Sequence, residues 1–189
     1  MILPIALVLV VLSVPLTGGN LSRLSAVRLR GLWLILVAIG LQIAAANIFH
    51  SILPYALLTA IHLLSYLFGI AGVVLNLRHI WGLWVIALGG GMNAAAIAAN
   101  DGVMPASPAA LRLAGMADPV DGFVNSGAVA SPQLAWMGDV FALPAPLPLA
   151  NVFSVGDVIL VIGFAMIMHR GSRPARQGTA TDASLSYSR

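Results

Sequence analysis

Five apolar runs, most of them close to twenty residues long and almost free of charge, constrain this chain more than any other feature. They cover residues 2–16, 31–49, 55–77, 80–99 and 152–169, with Asp157 the one charged residue in the last four. A bilayer core about 30 Å thick is crossed by about 20 helical residues at about 1.5 Å each. A water-soluble fold has no comparable use for so much uncharged helix. All nine basic residues are Arg and all six acidic residues are Asp, so there is no Lys or Glu to coat solvent-facing helices. Lipid is therefore expected to cover much of the surface. The fold class predicted is all-α: a polytopic transmembrane helix bundle of about five spans filling residues 1–169. A loop of roughly 50 residues, 101–150, joins spans four and five, and that is too long for a mere connection.

The positions of the Arg residues orient the bundle. Arg23, Arg28 and Arg30 lie between spans one and two, Arg78 lies between three and four, and Arg170, Arg173, Arg176 and Arg189 follow span five. These loops alternate, so they share one side, and basic residues near span ends are retained in the cytoplasm. The other side holds Arg112 with Asp101, Asp118, Asp121 and Asp139. The expectation is a multi-pass protein of the bacterial cytoplasmic (inner) membrane, with the N-terminus outside and the C-terminus in the cytoplasm. Span one has no basic residue before it, so a reverse-oriented anchor is preferred to a cleaved signal peptide. The Ser-, Thr-, Gly- and Arg-rich segment 170–189 reads as a disordered cytoplasmic tail. The net charge of +3 is thus a topology signal, and no nucleic-acid partner is expected; the partners are the bilayer and a membrane protein.

The absence of Cys excludes disulfides, thiolate metal sites and cysteine nucleophiles. No HxxxH or HxxE spacing accompanies the four His residues, so no metal is expected, and no motif implies a cofactor.

Polar residues inside the apolar runs recur at helical spacing. His62, Ser65, Tyr66, Gly69, Val73 and Asn76 form one stripe, Gly89, Asn93, Ala96 and Asn100 another, and Gln42, Asn47 and His50 lie on span two. Polar groups in hydrocarbon face a protein interior. One reading is helix adhesion through small residues and amide hydrogen bonds. The sharper reading groups Asn47, His50, His62, Asn93 and Asn100 in the outer half, where they build an outward-open polar pocket for a small ligand. His79 and His169, at inner helix ends, suit carbonyl capping.

In the outer loop, Ser107-Pro108 reads as the start of a short helix lying at the lipid interface. Pro144, Pro146 and Pro148 favour an extended polyproline-like strap leading into span five. Two similar segments flank this strap, Met137-Gly138-Asp139-Val140 and Val155-Gly156-Asp157-Val158. Ser154-x-x-Asp157 also has the form of a capping box. If the strap folds back, the two carboxylates meet at the membrane surface. One then serves as general base on water while the other protonates a carbonyl.

Phe153-Ser154-Val155-Gly156-Asp157, followed by Val158-Ile159-Leu160-Val161-Ile162-Gly163, resembles the segment that opens the last helix of lipoprotein signal peptidases. Asp139-Val140-Phe141 resembles the segment carrying that family's first catalytic Asp, and Gly89-Gly90-Gly91-Met92-Asn93 is similar to its Gly-Asn motif. The resemblance covers residues 89–169 and implies an aspartic membrane endopeptidase with Asp139 and Asp157 as the dyad and Asn93 as a supporting group. The chain departs from that family in having Ser154 in place of Asn, no Asp-Arg after Asn93, a longer loop and one additional span. The whole chain, with Asn100-Asp101-Gly102-Val103-Met104-Pro105 after span four, also resembles a family of small five-span bacterial membrane proteins classed as a domain of unknown function. The absence of a complete catalytic motif favours a structural or partner-docking subunit that uses its outer loop. The aspartic peptidase and the small-ligand binder or transporter are the alternatives.

Overall fold

The computed structural model describes residues 2–49, 52–116 and 126–174, and they are mostly helical. Helix α1 is Ile2–Leu16, α2 Leu32–Ile43, α3 Tyr55–Asn76, α4 Leu83–Ala99, α5 Pro108–Leu113 and α6 Val155–Gly171. A π-helical turn, Ala44–Ile48, continues α2. Helix α3, with 22 residues, is long and apolar enough to cross a membrane, whereas α1, α2 and α4 are apolar but shorter. The 17 residues of α4 and of α6 reach about 26 Å at about 1.5 Å per residue, a little under the bilayer core.

The long helices stand in a row, α2 on α3, α3 on α4, α4 on α6 and α6 on α1. Their contacts give the directions. Gly31 meets Leu75 while Gly72 meets Ile35, so α2 and α3 are antiparallel. Gly89 meets Gly156 and Leu160 while Gly163 meets Ile86, so α4 and α6 are antiparallel too. Helix α1 runs parallel to α6, with Ser13 beside His169 near the ends of both helices and Leu3 and Ala6 beside the start of α6.

The connections bearing Arg23, Arg28, Arg30, Arg78, Arg170 and Arg173 gather at one end of this row. Asn76 holds the backbone of Arg30 through both its amide nitrogen and its oxygen, at 2.8 and 2.9 Å. The Arg170 guanidinium lies 4.4 Å over the Trp81 ring. The Asn20 amide donates to the Ser172 carbonyl. Of the expected stripes, His62, Ser65 and Asn76 on α3 are buried and Tyr66, Gly69 and Val73 half-buried, while Gly89, Asn93, Ala96 and Asn100 on α4 and its C-cap are all buried.

The mostly helical fold agrees with the helical expectation, and the end of the row opposite the Arg-bearing connections adds short strands. Strand β1 (Met104–Pro105) pairs in parallel with β2 (Ser126–Gly127), and β3 (Phe141–Leu143) pairs antiparallel with β4 (Asn151–Phe153). The expected polyproline strap is instead the connection of that hairpin, with a cis peptide at Ala145-Pro146. The reason is local. Proline has no N–H to give a ladder, so pairing forms on either side of residues 144–148, where Phe141 stacks on Phe153 with ring centroids 5.4 Å apart. Helix α5 starts at Pro108 as read, although its N-cap Ser107 makes no side-chain cap bond. Ala110 and Leu111 of α5 and Val152 of β4 share a small apolar core.

Candidate functional site

The site is built where α6 begins. Ser154, completely buried, accepts a hydrogen bond from the Asp157 amide at 2.9 Å, and the Asp157 carboxylate accepts from the Ser154 amide at 3.1 Å. The capping box is therefore formed. It satisfies amides that the first turn of any helix leaves open, and it fixes which way the Asp157 carboxylate points. The second oxygen of that carboxylate accepts from Asn93 Nδ2 at 2.8 Å, and Ser154 Oγ donates to Asn93 Oδ1 at 2.9 Å. Asn93, Ser154 and Asp157 thus form a closed network, with both carboxylate oxygens acting as acceptors.

Glycine makes this network possible. A Cβ on Gly156 would lie 2.7 Å from the Gly89 carbonyl oxygen and still closer to the Asn93 amide, and one on Gly89 would lie 2.6 Å from the Gly156 carbonyl oxygen. Both distances are closer than real Cβ contacts allow, so the α4 and α6 backbones approach to a separation that only glycine permits.

Asp139 arrives from the loop. Its amide donates to the Pro105 carbonyl at 2.9 Å and its carbonyl accepts from the Ser107 amide at 3.0 Å, which ties it beside β1. A Cβ on the preceding Gly138 would meet the Pro105 carbonyl oxygen at 2.1 Å, so the chain can pass this close only as glycine. The Asp139 side chain is 5% exposed and accepts from Ser126 Oγ at 2.5 Å. Burial pushes its carboxyl up to about 6 from the usual 3.8; the Ser126 hydroxyl acts in the opposite sense, and the negative charge of Asp157 adds to the rise. The two carboxylates are therefore within electrostatic reach of one another. Both charges also act on the Tyr66 phenol of α3, which packs against Ala96, Ile97, Met104 and Met137.

Two clefts flank this arrangement. One, of about 230 Å³, lies between α1 and α6 and is lined by Leu3, Ala6, Phe153, Asp157, Val158, Val161 and Ile162. The other, of about 330 Å³, lies on the loop between α4 and α6 among Pro105, Pro108, Val129, Pro132, Trp136 and Val140.

Of the residues expected to line an outward polar pocket, Asn93 is spent on Asp157. Asn100 is spent on the loop, donating to the Ala96 and Gln133 carbonyls and accepting from the Gln133 amide. His62 is buried, its ring edge-on to Tyr66 at 5.1 Å. Neither cleft includes these three residues. The Asn47 side chain and His50 lie outside the described residues. His169 does not cap carbonyls; its ring nitrogens lie 3.0 Å from the hydroxyls of Ser13 on α1 and of Thr17 just beyond it. Among the described residues, no group of three or more His, Cys, Asp or Glu could hold a metal ion.

Sequence reasoning missed Ser126, and it placed Ser154 in a capping box with Asp157 without foreseeing its bond to Asn93. The bond to Asn93 joins residues 61 apart in sequence, so the capping box gave no sign of it. Ser126 had no signal, since a lone Ser thirteen residues before Asp139 meets it only through the β1–β2 pairing.

No curated protein and no solved structure matches the chain. One protein family does, described as a family of unknown function. The match begins beyond α1 and takes in both aspartates and every residue of the polar network around them. Because it extends over residues 26–169, more than half of the sequence, the chain belongs to the family of unknown function DUF5317.

Proposed function

We propose that this protein is an aspartic-type membrane hydrolase that cleaves an amide bond at the outer surface of the bacterial inner membrane. The observation that carries the reading is the contrast between its two coupled carboxyls. Asp139 is buried, with its pKa raised to about 6, whereas both oxygens of Asp157 accept hydrogen bonds from Asn93 and Ser154. Two carboxyls held in environments that differ in this way divide acid and base roles between them. The similarity of residues 153–163 to lipoprotein signal peptidases supports the same assignment.

In the step this implies, the Asp157 carboxylate takes a proton from water while the water oxygen bonds to the carbonyl carbon. The Asp139 carboxyl gives its proton to the carbonyl oxygen. The resulting diol collapses as the proton on Asp157 passes to the departing nitrogen, the C–N bond breaks and a hydroxyl proton returns to Asp139. Both groups end as they began.

The setting proposed is a bundle of five spans, α1, α2 with its π turn, α3, α4 and α6, with the N-terminus outside. The gathering of the Arg-bearing connections at one end supports it. The test is reconstitution into vesicles with detergent-extracted bacterial membrane proteins, followed by sequencing of new N-termini. Cleavage products are expected with the unaltered chain and are expected to vanish in Asp139→Asn and Asp157→Asn variants that still fold. Identical termini in all three samples overturn the reading.

A second reading, partner docking through the outer loop, is favoured by Trp136, which is 60% exposed on the rim of the Pro-lined cleft. Exposed Trp residues dominate binding energy at interfaces. On this reading a stoichiometric membrane protein co-purifies in mild detergent and is lost on Trp136→Ala, with the two Asp→Asn variants retaining it.

A further inference from the structure

Helix α1 is attached to the rest of the molecule at one end. Val14, fully buried, is the only buried residue among its described side chains. Among the described residues, the side-chain hydrogen bonds that tie it to α6 join Ser13, and Thr17 just past its end, to His169. Just beyond it, the Asn20 amide donates to the Ser172 carbonyl, and a Cβ on Gly19 would strike Ser172 Oγ at 2.4 Å. This is the end where the Arg-bearing connections gather. At the opposite end the helices part. There a cleft lies between Leu3 and Ala6 and the first turns of α6, with Asp157 in its wall.

Access makes this asymmetry meaningful. Asp139 is covered by the Ser126, Pro105 and Ser107 segments, so the outer loop closes its side of the pair. The α1–α6 cleft has Asp157 in its wall and is otherwise apolar, and its approaches are lined by exposed Val158 and Ile162. A water-soluble chain has nothing to gain in such a passage, whereas an apolar segment loses no hydration there. Helix α1 also lies outside the family match, so the matched core contains the aspartates and lacks the helix that stands at this entrance.

We propose that α1 is a lateral gate: it pivots on the Ser13–Thr17–His169 base and admits an apolar segment of a membrane-embedded polypeptide to Asp157 from the lipid side. This rests on the hydrolase reading for its chemistry, although the movement can be read independently of it. Opening separates the sparse apolar contacts near Leu3 and Ala6 and leaves the polar base intact. The gate therefore selects for substrates that arrive from the bilayer.

The chain has no Cys, so introduced thiols report alone. In lipid nanodiscs, Val161→Cys labelled with a lipid-soluble maleimide is expected to be protected several-fold by an added transmembrane peptide of alternating Leu and Ala. Arg173→Cys, at the base, is expected to label equally with and without that peptide. Equal labelling of Val161→Cys with and without the peptide overturns the gate whether or not the protein cleaves anything. Joining Ala6→Cys to Val161→Cys with a short bismaleimide is expected to lower cleavage at least tenfold without changing the melting temperature. Full cleavage by the joined protein also overturns the gate. Should the double variant fail to fold, Leu3→Cys with Val158→Cys closes the same cleft. Peptide protection without any cleavage supports the gate and removes the hydrolase reading, so the two failures are told apart.

Discussion

The two faces of α6 solve the same packing problem in opposite ways. Toward α4, glycines at 156 and 163 face Gly89 and Ile86 at distances where a Cβ would meet main-chain atoms at 2.6–2.9 Å. Toward α1, contact is made by side chains and is firm only around Val14 and His169. Backbone approach leaves an element nowhere to go, because any displacement breaks many dispersion contacts at once. Side-chain contact at one end leaves the other end free to part. The rigid face carries Asn93 and the capping box, which must hold a carboxylate in one orientation; the loose face carries the cleft. The comparison teaches that the hold on the Asp157 carboxylate and the cleft beside it are assigned to different sides of a single helix.

The strongest way to break the comparison is Gly156→Leu. A side chain at this position collides with the Gly89 carbonyl and the Asn93 amide, so a loss of more than about 3 kcal/mol is expected, beyond ordinary overpacking. Denaturant unfolding in detergent micelles measures it, and an unchanged midpoint would show that the α4 face is not close-packed.

The next effect reads the end of α6 where the long loop meets this face. Because the folded state holds Asp139 at about 6 against 3.8, folding favours the protonated form. The associated stability is fully present below about pH 4 and is lost as the pH rises through about 6, with an amplitude on the order of 3 kcal/mol. Melting temperature followed from pH 4 to 8 should fall in the unaltered chain and stay nearly flat in Asp139→Asn. Parallel curves would mean that Asp139 is not the group responsible.

Asn93→Ala removes the partner of both Asp157 and Ser154 and leaves a buried hydroxyl and a carboxylate oxygen unsatisfied, at about 1–3 kcal/mol. On the proposed hydrolase reading cleavage falls with it, and Asn93→Asp does not restore it, since a second carboxylate cannot donate to the first. The smallest effect belongs to the α1 face. His169→Ala loses two partly exposed hydrogen bonds and should cost about 1 kcal/mol. A cost as large as that of Gly156→Leu would erase the distinction between the two faces.

Much of this was legible from the sequence. The helices follow from uncharged apolar runs, and the buried stripes on α3 and α4 follow from spacing at three and four residues, because helical periodicity survives any tertiary arrangement. Ser154-x-x-Asp157 announced its capping box for the same reason: the atoms involved lie within one turn. The hairpin was misread because the three prolines describe their own segment and say nothing about what pairs on either side of it. The pocket expected around Asn100 dissolved because an Asn side chain has one amide to spend, and the loop carbonyl of Gln133 claimed it.

The sequence by itself therefore determined everything that depends on neighbours along the chain: helix positions, their buried faces, the end at which Arg collects and the orientation of Asp157. Only the tertiary structure decided what depends on distant residues. It brought Asp139 under Ser126 and into the field of Asp157, gave Asn93 to that carboxylate, and set α1 beside α6 with a cleft between their first turns. The physical reason is that periodicity and capping are settled within a few residues. Burial, electrostatic coupling and the space between two helices exist only once remote segments have met.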